Sequence, residues 1–179
     1  MRSDGVIETQ LYRGKKITVW RDDDAQNPDE GKNEDLFLVA WDSRNIYVTR
    51  DGMKSSDDIR GMSKNFHVFT LFVYSHGGVS LSLARSCSWD SGACGYVFVK
   101  RQGKKNERAE AEKSARSLID EWNLYLSGQV YGFTIEDSYG DVIDSCGGFY
   151  GETSEVLKEA RSIIDAGEKQ IELFPMHVN

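Results

Sequence analysis

Residues 66–74, Phe-His-Val-Phe-Thr-Leu-Phe-Val-Tyr, put apolar side chains on both alternating faces of an extended chain. A strand with two apolar faces needs cover on both, so it belongs inside a sheet, and the rest of the chain must supply its neighbours. Gly77-Gly78 follows as a turn, and 79–83 returns as the hairpin partner. Residues 36–41 form a second short, continuous apolar run. Residues 17–20, 46–49 and 95–99 carry the alternating or β-branched pattern of further strands.

Helical periodicity starts after Gly103. Ala115, Leu118, Ile119, Trp122, Tyr125 and Leu126 recur at three- and four-residue spacing and predict an amphipathic helix over about 104–126, stopped by Gly128. Asp137-Ser138-Tyr139-Gly140 reads as the turn of a hairpin joining 129–136 to 141–144. Val156, Leu157, Ala160, Ile163 and Ile164 predict a second helix over 153–166, with Thr153 or Ser154 able to cap its start. Residues 51–64 read as loop or a short helix, 86–92 as a polar turn segment, and 169–174 as an edge strand. This order predicts an α+β fold, a mostly antiparallel β-sheet of hairpins with both helices on one face. At 179 residues, 1–179 is expected to form a single globular domain. Helices do not alternate with single strands and no glycine-rich phosphate loop is present, which argues against a doubly wound nucleotide-binding fold.

The formal charge of −7 disfavours a uniformly basic nucleic-acid binder, but the average conceals segregation. The expected loop 22–35 has seven acids and one base, as does 133–159, whereas 100–116 has seven bases and three acids. Asp22, Asp23, Asp24, Asp29 and Glu30 are therefore candidates for a partner-binding surface, as is Trp89, a large aromatic in a polar turn segment. The acids lack the alternate spacing and fixed glycine of a calcium loop. Lys100, Arg101, Lys104 and Lys105 are the candidate phosphate contacts. The interleaved Glu and Lys/Arg of 104–116 also suit a salt-bridged helix face. The candidates for catalysis are His76, Cys87, Asp90 and Cys146: an imidazole could take a thiol proton while a carboxylate orients it. Cys87, Cys94, Cys146 and His76 are zinc-type ligands, but their Cys-x6-Cys spacing is looser than a zinc knuckle, so no metal and no cofactor are expected. With no signal-like apolar run in 1–15 and three cysteines, an odd count, a soluble cytoplasmic protein with reduced thiols is expected.

Three segments together carry a resemblance. Residues 89–99, Trp-Asp-Ser-Gly-Ala-Cys-Gly-Tyr-Val-Phe-Val, are similar to a W-D-S-G-x-x-G-x-I-Y-V pattern. Residues 125–133 match Y-L-x-G-x-V-Y-G-[FY], and 144–151, Asp-Ser-Cys-Gly-Gly-Phe-Tyr-Gly, match D-S-C-W-G-F-Y-G. Residues 17–28 and 74–79 agree with two weaker patterns, a strand followed by D-x-D-x-x-x-P and Y-D-H-S-G-[IL]. The set resembles a family of small, functionally uncharacterised proteins of bacteriophages and related mobile elements, and it covers most of 17–152. Gly147 stands where that pattern has Trp, and Gly77 where it has Ser. The resemblance implies a phage-type accessory protein; together with the acidic surfaces at 22–35 and 133–159 it leads to the expectation of a protein acting in the host cytoplasm by binding a host or phage protein, such as an inhibitor of a host defence system of the anti-CRISPR or anti-restriction type. The alternatives are a thiol-dependent or hydrolytic enzyme using Cys87 or Cys146 with His76, and a nucleic-acid binder using 100–116.

Overall fold

Antiparallel pairing organises every strand among the described residues. The computed structural model describes residues 5–30, 34–42, 44–50, 53, 56–87 and 89–173. Its strands are β1 (Val6–Tyr12), β2 (Lys15–Arg21), β3 (Leu36–Asp42), β4 (Ile46–Val48), β5 (Phe66–Ser75), β6 (Val79–Ser82), β7 (Ser91–Lys100), β8 (Val130–Glu136) and β9 (Val142–Tyr150). The helices are α1 (Glu107–Leu126) and α2 (Thr153–Leu173), with a 3-10 helix at Ser56–Lys64. The fold is α+β, as expected. The strands are divided between two sheets, each with its own helix, rather than gathered in one. Alternation tells a strand which face to bury but not which sheet to join, and the chain packs as two compact units, residues 27–127 and residues 1–26 with 128–179.

The 27–127 unit is built on the order β4-β3-β7-β5-β6. The two-faced run at 66–74 is β5, with β7 and β6 on either side. Its Phe69, Leu71 and Val73 join Leu38, Ala40 and Val97 under Ala111, Ala115, Leu118, Ile119 and Trp122 of α1. On the opposite face Phe66 and Val68 pack with Phe37, Val39 and Phe98, covered by Met53, Ile59 and Met62. Burying a Leu, Val or Phe side chain contributes roughly 1.5–3 kcal/mol, so this doubly covered sheet is the main store of stability in the unit. Edge strand β6 is tied to α1 by one side chain: Asn123 Oδ1 accepts from Leu81 N–H (2.7 Å) and its Nδ2 donates to Leu81 O (3.1 Å).

Helix α1 starts three residues later than expected, because Asn106 is left-handed (φ 61°) and no side chain caps it. The Glu107 carboxylate instead holds the loop that leads into the helix, accepting the amides of Gln102 and Gly103. These bonds, with His67 Nε2 at 3.3 Å, hold its pKa below the usual glutamate value.

The other unit has the order β1-β2-β8-β9. Ile17, Val19, Phe133 and Ile135 face Val156, Leu157, Ala160 and Ile164 of α2. β1 was not legible in the sequence: a register shift between Val6 and Glu8 breaks its alternation. Its turn uses Arg13-Gly14, both at positive φ, instead of the commoner Asn-Gly. Tyr12 Oη donates to Asp165 (3.1 Å) and Arg161 Nη2 to Gln10 Oε1 (2.6 Å), fastening β1 to α2. Two expectations need correction. The edge strand at 169–174 is absent from the described residues, since α2 continues to Leu173. Phe174 and Pro175 lie outside the described residues. Thr153 is already helical, so the capping position falls on Glu152 rather than on Thr153 or Ser154. No described helix is long and apolar enough to cross a membrane.

Two outcomes follow. A Cβ on Gly95 would run into the Val39 carbonyl, whereas Gly92 has nothing within 4 Å. Gly95→Ala should therefore destabilise by about 3 kcal/mol in urea titration, and Gly92→Ala by less than about 0.5 kcal/mol. Glu107 is stabilising above the usual carboxylate range, and that contribution is lost as pH falls through its lowered pKa. Glu107→Gln should lower the melting temperature at pH 7, and the gap to the wild type should narrow as the pH falls below the usual glutamate range.

Candidate functional site

β3 and β7 pair from Leu36↔Val99 to Ala40↔Gly95 and then separate. Past that point β7 stays with β5, where Ala93, Gly92 and Ser91 face Phe72, Val73 and Tyr74 beyond a bulge at Leu71/Phe72. β3 stays with β4, where Trp41 and Asp42 face Tyr47 and Ile46. A bulge bends and twists its strand, which is how two neighbours can part within one sheet. The fork is a groove of about 730 Å³ inside the 27–127 unit.

Its walls are aromatic and polar. Trp41 meets Tyr96 edge to face at 6.2 Å between ring centroids. Trp89, at the rim, is 93% exposed. Asp42 accepts from Asn45 Nδ2 (2.8 Å) and Arg44 N–H (3.1 Å), which pulls its pKa below the ordinary aspartate value and fixes the β3–β4 turn. Arg85 Nε donates to Ser91 O at 3.1 Å. Two polar atoms of the lining are buried without a hydrogen-bond partner, Trp41 Nε1 and Ser91 Oγ. Such groups normally find partners in a folded protein, and an orphan in a groove is a point where a ligand could supply one.

Three of the four catalytic candidates come together beside this groove. His76 Nδ1 is 3.9 Å from Asp90 Oδ2, and the Asp90 N–H donates to Cys87 Sγ at 3.2 Å. The His76 and Asp90 side chains are 75% and 45% exposed, so their attraction is screened by water. Asp90 lines the groove and Cys87 is half-buried. Cys146 belongs to the other unit, exposed on β9 opposite Phe133. Cys94, weighed earlier as a zinc ligand, is buried. Its Sγ donates to Leu71 O (3.6 Å), and burial pushes its pKa up to about 12. Among the described residues no group of three or more His, Cys, Asp or Glu is placed to hold a metal ion.

The acidic candidates are split between the units. Asp22 Oδ2 accepts from Gly148 N–H at 2.9 Å and lies 2.6 Å from where a Gly147 Cβ would be. In this chain the carboxylate occupies the space beside Gly147, where the resembled pattern has Trp. Asp23 and Asp24 are exposed. Asp29 Oδ2 accepts from Leu38 N–H (2.9 Å), and the exposed Glu30 accepts from Asn27 Nδ2 (3.3 Å). Positions 31–33 of the acidic stretch lie outside the described residues.

The basic candidates divide similarly. Lys100 Nζ is 2.5 Å from Asp35 Oδ1, a bond that raises its pKa, and Arg101 Nε donates to Ser63 O (3.2 Å). Lys104 and Lys105 are exposed. Arg116 pairs with Glu112 at 2.6 Å, as a salt-bridged helix face would.

Trp41, Arg85, Ser91 and Tyr96 were not singled out by the sequence. The available signals were an aromatic closing the apolar run at 36–41 and the W-D-S-G segment leading into β7. No family model matches the chain, and neither a curated protein nor a solved structure matches it.

The cysteines should separate cleanly in thiol labelling of the native protein at pH 8. Cys146 and Cys87 should react, while Cys94 should react only after denaturation, because its thiol is neutral well above that pH.

Proposed function

We propose that this chain is a small phage-type accessory protein that acts by binding a host or phage protein, and that the fork of the 27–127 unit is its binding groove. The role suggested by the resemblance together with the acidic surfaces at 22–35 and 133–159 is inhibition of a host defence system. One observation carries the binding reading: Trp89 stands 93% exposed at the rim of a groove whose Trp41 and Ser91 retain unpartnered polar atoms. An exposed tryptophan contributes little to folding, whereas tryptophan is enriched among the residues that dominate protein interfaces. A nucleic-acid role for 100–116 has less support, since Lys100 and Arg101 are engaged within the fold.

A second reading, thiol chemistry, is favoured by the contacts that link Cys87, Asp90 and His76. Asp90 stands between a thiol and an imidazole, the residue types that a thiol nucleophile and its base require.

The readings separate on two variants. Trp89→Ala should leave the melting temperature unchanged and weaken capture of the partner from host lysate by about 30-fold, corresponding to an interface residue of about 2 kcal/mol. Cys87→Ser should leave that capture intact. Equal recovery by wild type and Trp89→Ala would remove the binding reading. If Cys87 alkylates with an apparent pKa near 8.5 in both wild type and His76→Ala, the thiol reading is removed.

A further inference from the structure

We infer that the fork between β3 and β7 takes an extended peptide segment of its partner by strand addition along Ser91–Ala93. This rests on the binding reading above and specifies how the partner is held. Four observations carry it.

The first is the ladder. Ser75 N–H donates to Asp90 O (3.1 Å), which sets the phase of the β5–β7 pairing. Peptide groups alternate sides along an antiparallel strand, so those of Gly92 turn toward β5 and those of Ser91 and Ala93 turn toward the fork. On that side Ser91 O meets Arg85 Nε, and among the described residues Ala93 has no partner strand, because the β3 pairing ends at Gly95. The second is the small size of the exposed Gly92 and Ala93, with open space around Gly92. Small residues let a second backbone approach closely. The third is the absence of any charge along Ser91-Gly92-Ala93-Cys94, where natural sheet edges usually carry protective charge, proline or a covering element.

The fourth is the pair of buried polar atoms. Ser91 is 4% exposed with Oγ unpartnered, and Trp41 Nε1 is a donor without an acceptor. A peptide beside β7 brings carbonyl oxygens and amide hydrogens to both. The Trp41–Tyr96 pair offers one aromatic face for an apolar side chain of the segment, and Trp89 closes over it from the rim. Main-chain bonds would then give affinity and the aromatic seat selectivity, the division of labour found in strand-addition binding.

The orphaned atoms also give an unusual test. Removing a buried unsatisfied polar group does not weaken the free protein, yet it removes a bond to the ligand. The probe is a random heptapeptide library panned on the full chain, with the selected peptides measured by calorimetry and by amide hydrogen exchange. Ser91→Ala should keep or raise the melting temperature and Trp41→Phe should lower it only by the packing lost on the Phe37–Phe98 cluster, and each should weaken the selected peptides fivefold or more. In the complex the Ala93 amide should exchange at least tenfold more slowly. The Trp41 indole N–H should shift, while that of Trp122, buried in the α1 core, should not.

Several outcomes would overturn the proposal: no enrichment, protection on another strand, affinity unchanged in both variants, or a dimer of this chain already protecting Ala93. A partner captured through Trp89 while Ala93 stays unprotected would remove strand addition and leave the binding reading standing. Failure of both capture and enrichment would remove the two together.

Discussion

The contact of Gly95 with the Val39 carbonyl is the constraint on which the 27–127 unit depends. β7 lies at the middle of the five-stranded order, and Gly95 pairs with Ala40 on one side and Leu71 on the other. With no side chain there, three backbones pack closely, and a layer of Leu38, Leu71 and Val97 forms beneath α1 with zero exposure. The bulge follows at once on β7 itself, where Cys94 is the extra residue between the Leu71–Gly95 and Phe72–Ala93 pairs. Close approach and departure are therefore adjacent events, and the groove is the space left where they meet. A site made this way sits on rigid strands, and its polar atoms are buried because the sheet around them is.

Charge is used differently from what a count suggests. Asp22 receives the amide of Gly148, Asp29 that of Leu38, Asp42 that of Arg44, and Glu107 those of Gln102 and Gly103. Asp137 accepts from Tyr139 and Asp141 within its own hairpin. These carboxylates hold turns and the loop leading into α1 in place by satisfying amides that would otherwise lack partners. Part of the acidity of the chain is therefore structural, while acids such as Asp23, Asp24 and Glu30 face solvent. That is why an exposed tryptophan distinguishes a surface here better than the sign of its charges does.

Much of the fold was legible. The two-faced run became β5, the stripe ending at Leu126 became α1, and Asp137-Ser138-Tyr139-Gly140 became the β8–β9 turn. Trp122 packs into the core beneath α1, as its place in the apolar stripe implied. What failed to read was local irregularity: β1 with its shifted register, the longer α2, and the start of α1 displaced by a left-handed Asn106. Of the candidate site, Trp89, Asp90, Cys87 and His76 were named from residue type alone, and they do lie beside one groove. Trp41 and Ser91 were not, because a missing hydrogen bond has no sequence pattern.

By itself the sequence determined the elements and their buried faces. Apolar periodicity, turn residues and left-handed glycines such as Gly128 act through neighbours only a few positions away. Only the tertiary structure decided which strands share a sheet, where β3 and β7 part, and which polar atoms that parting leaves without partners. Those outcomes depend on register between residues as far apart as Ala40 and Gly95, where a single backbone contact selects among pairings that the alternation alone leaves equivalent.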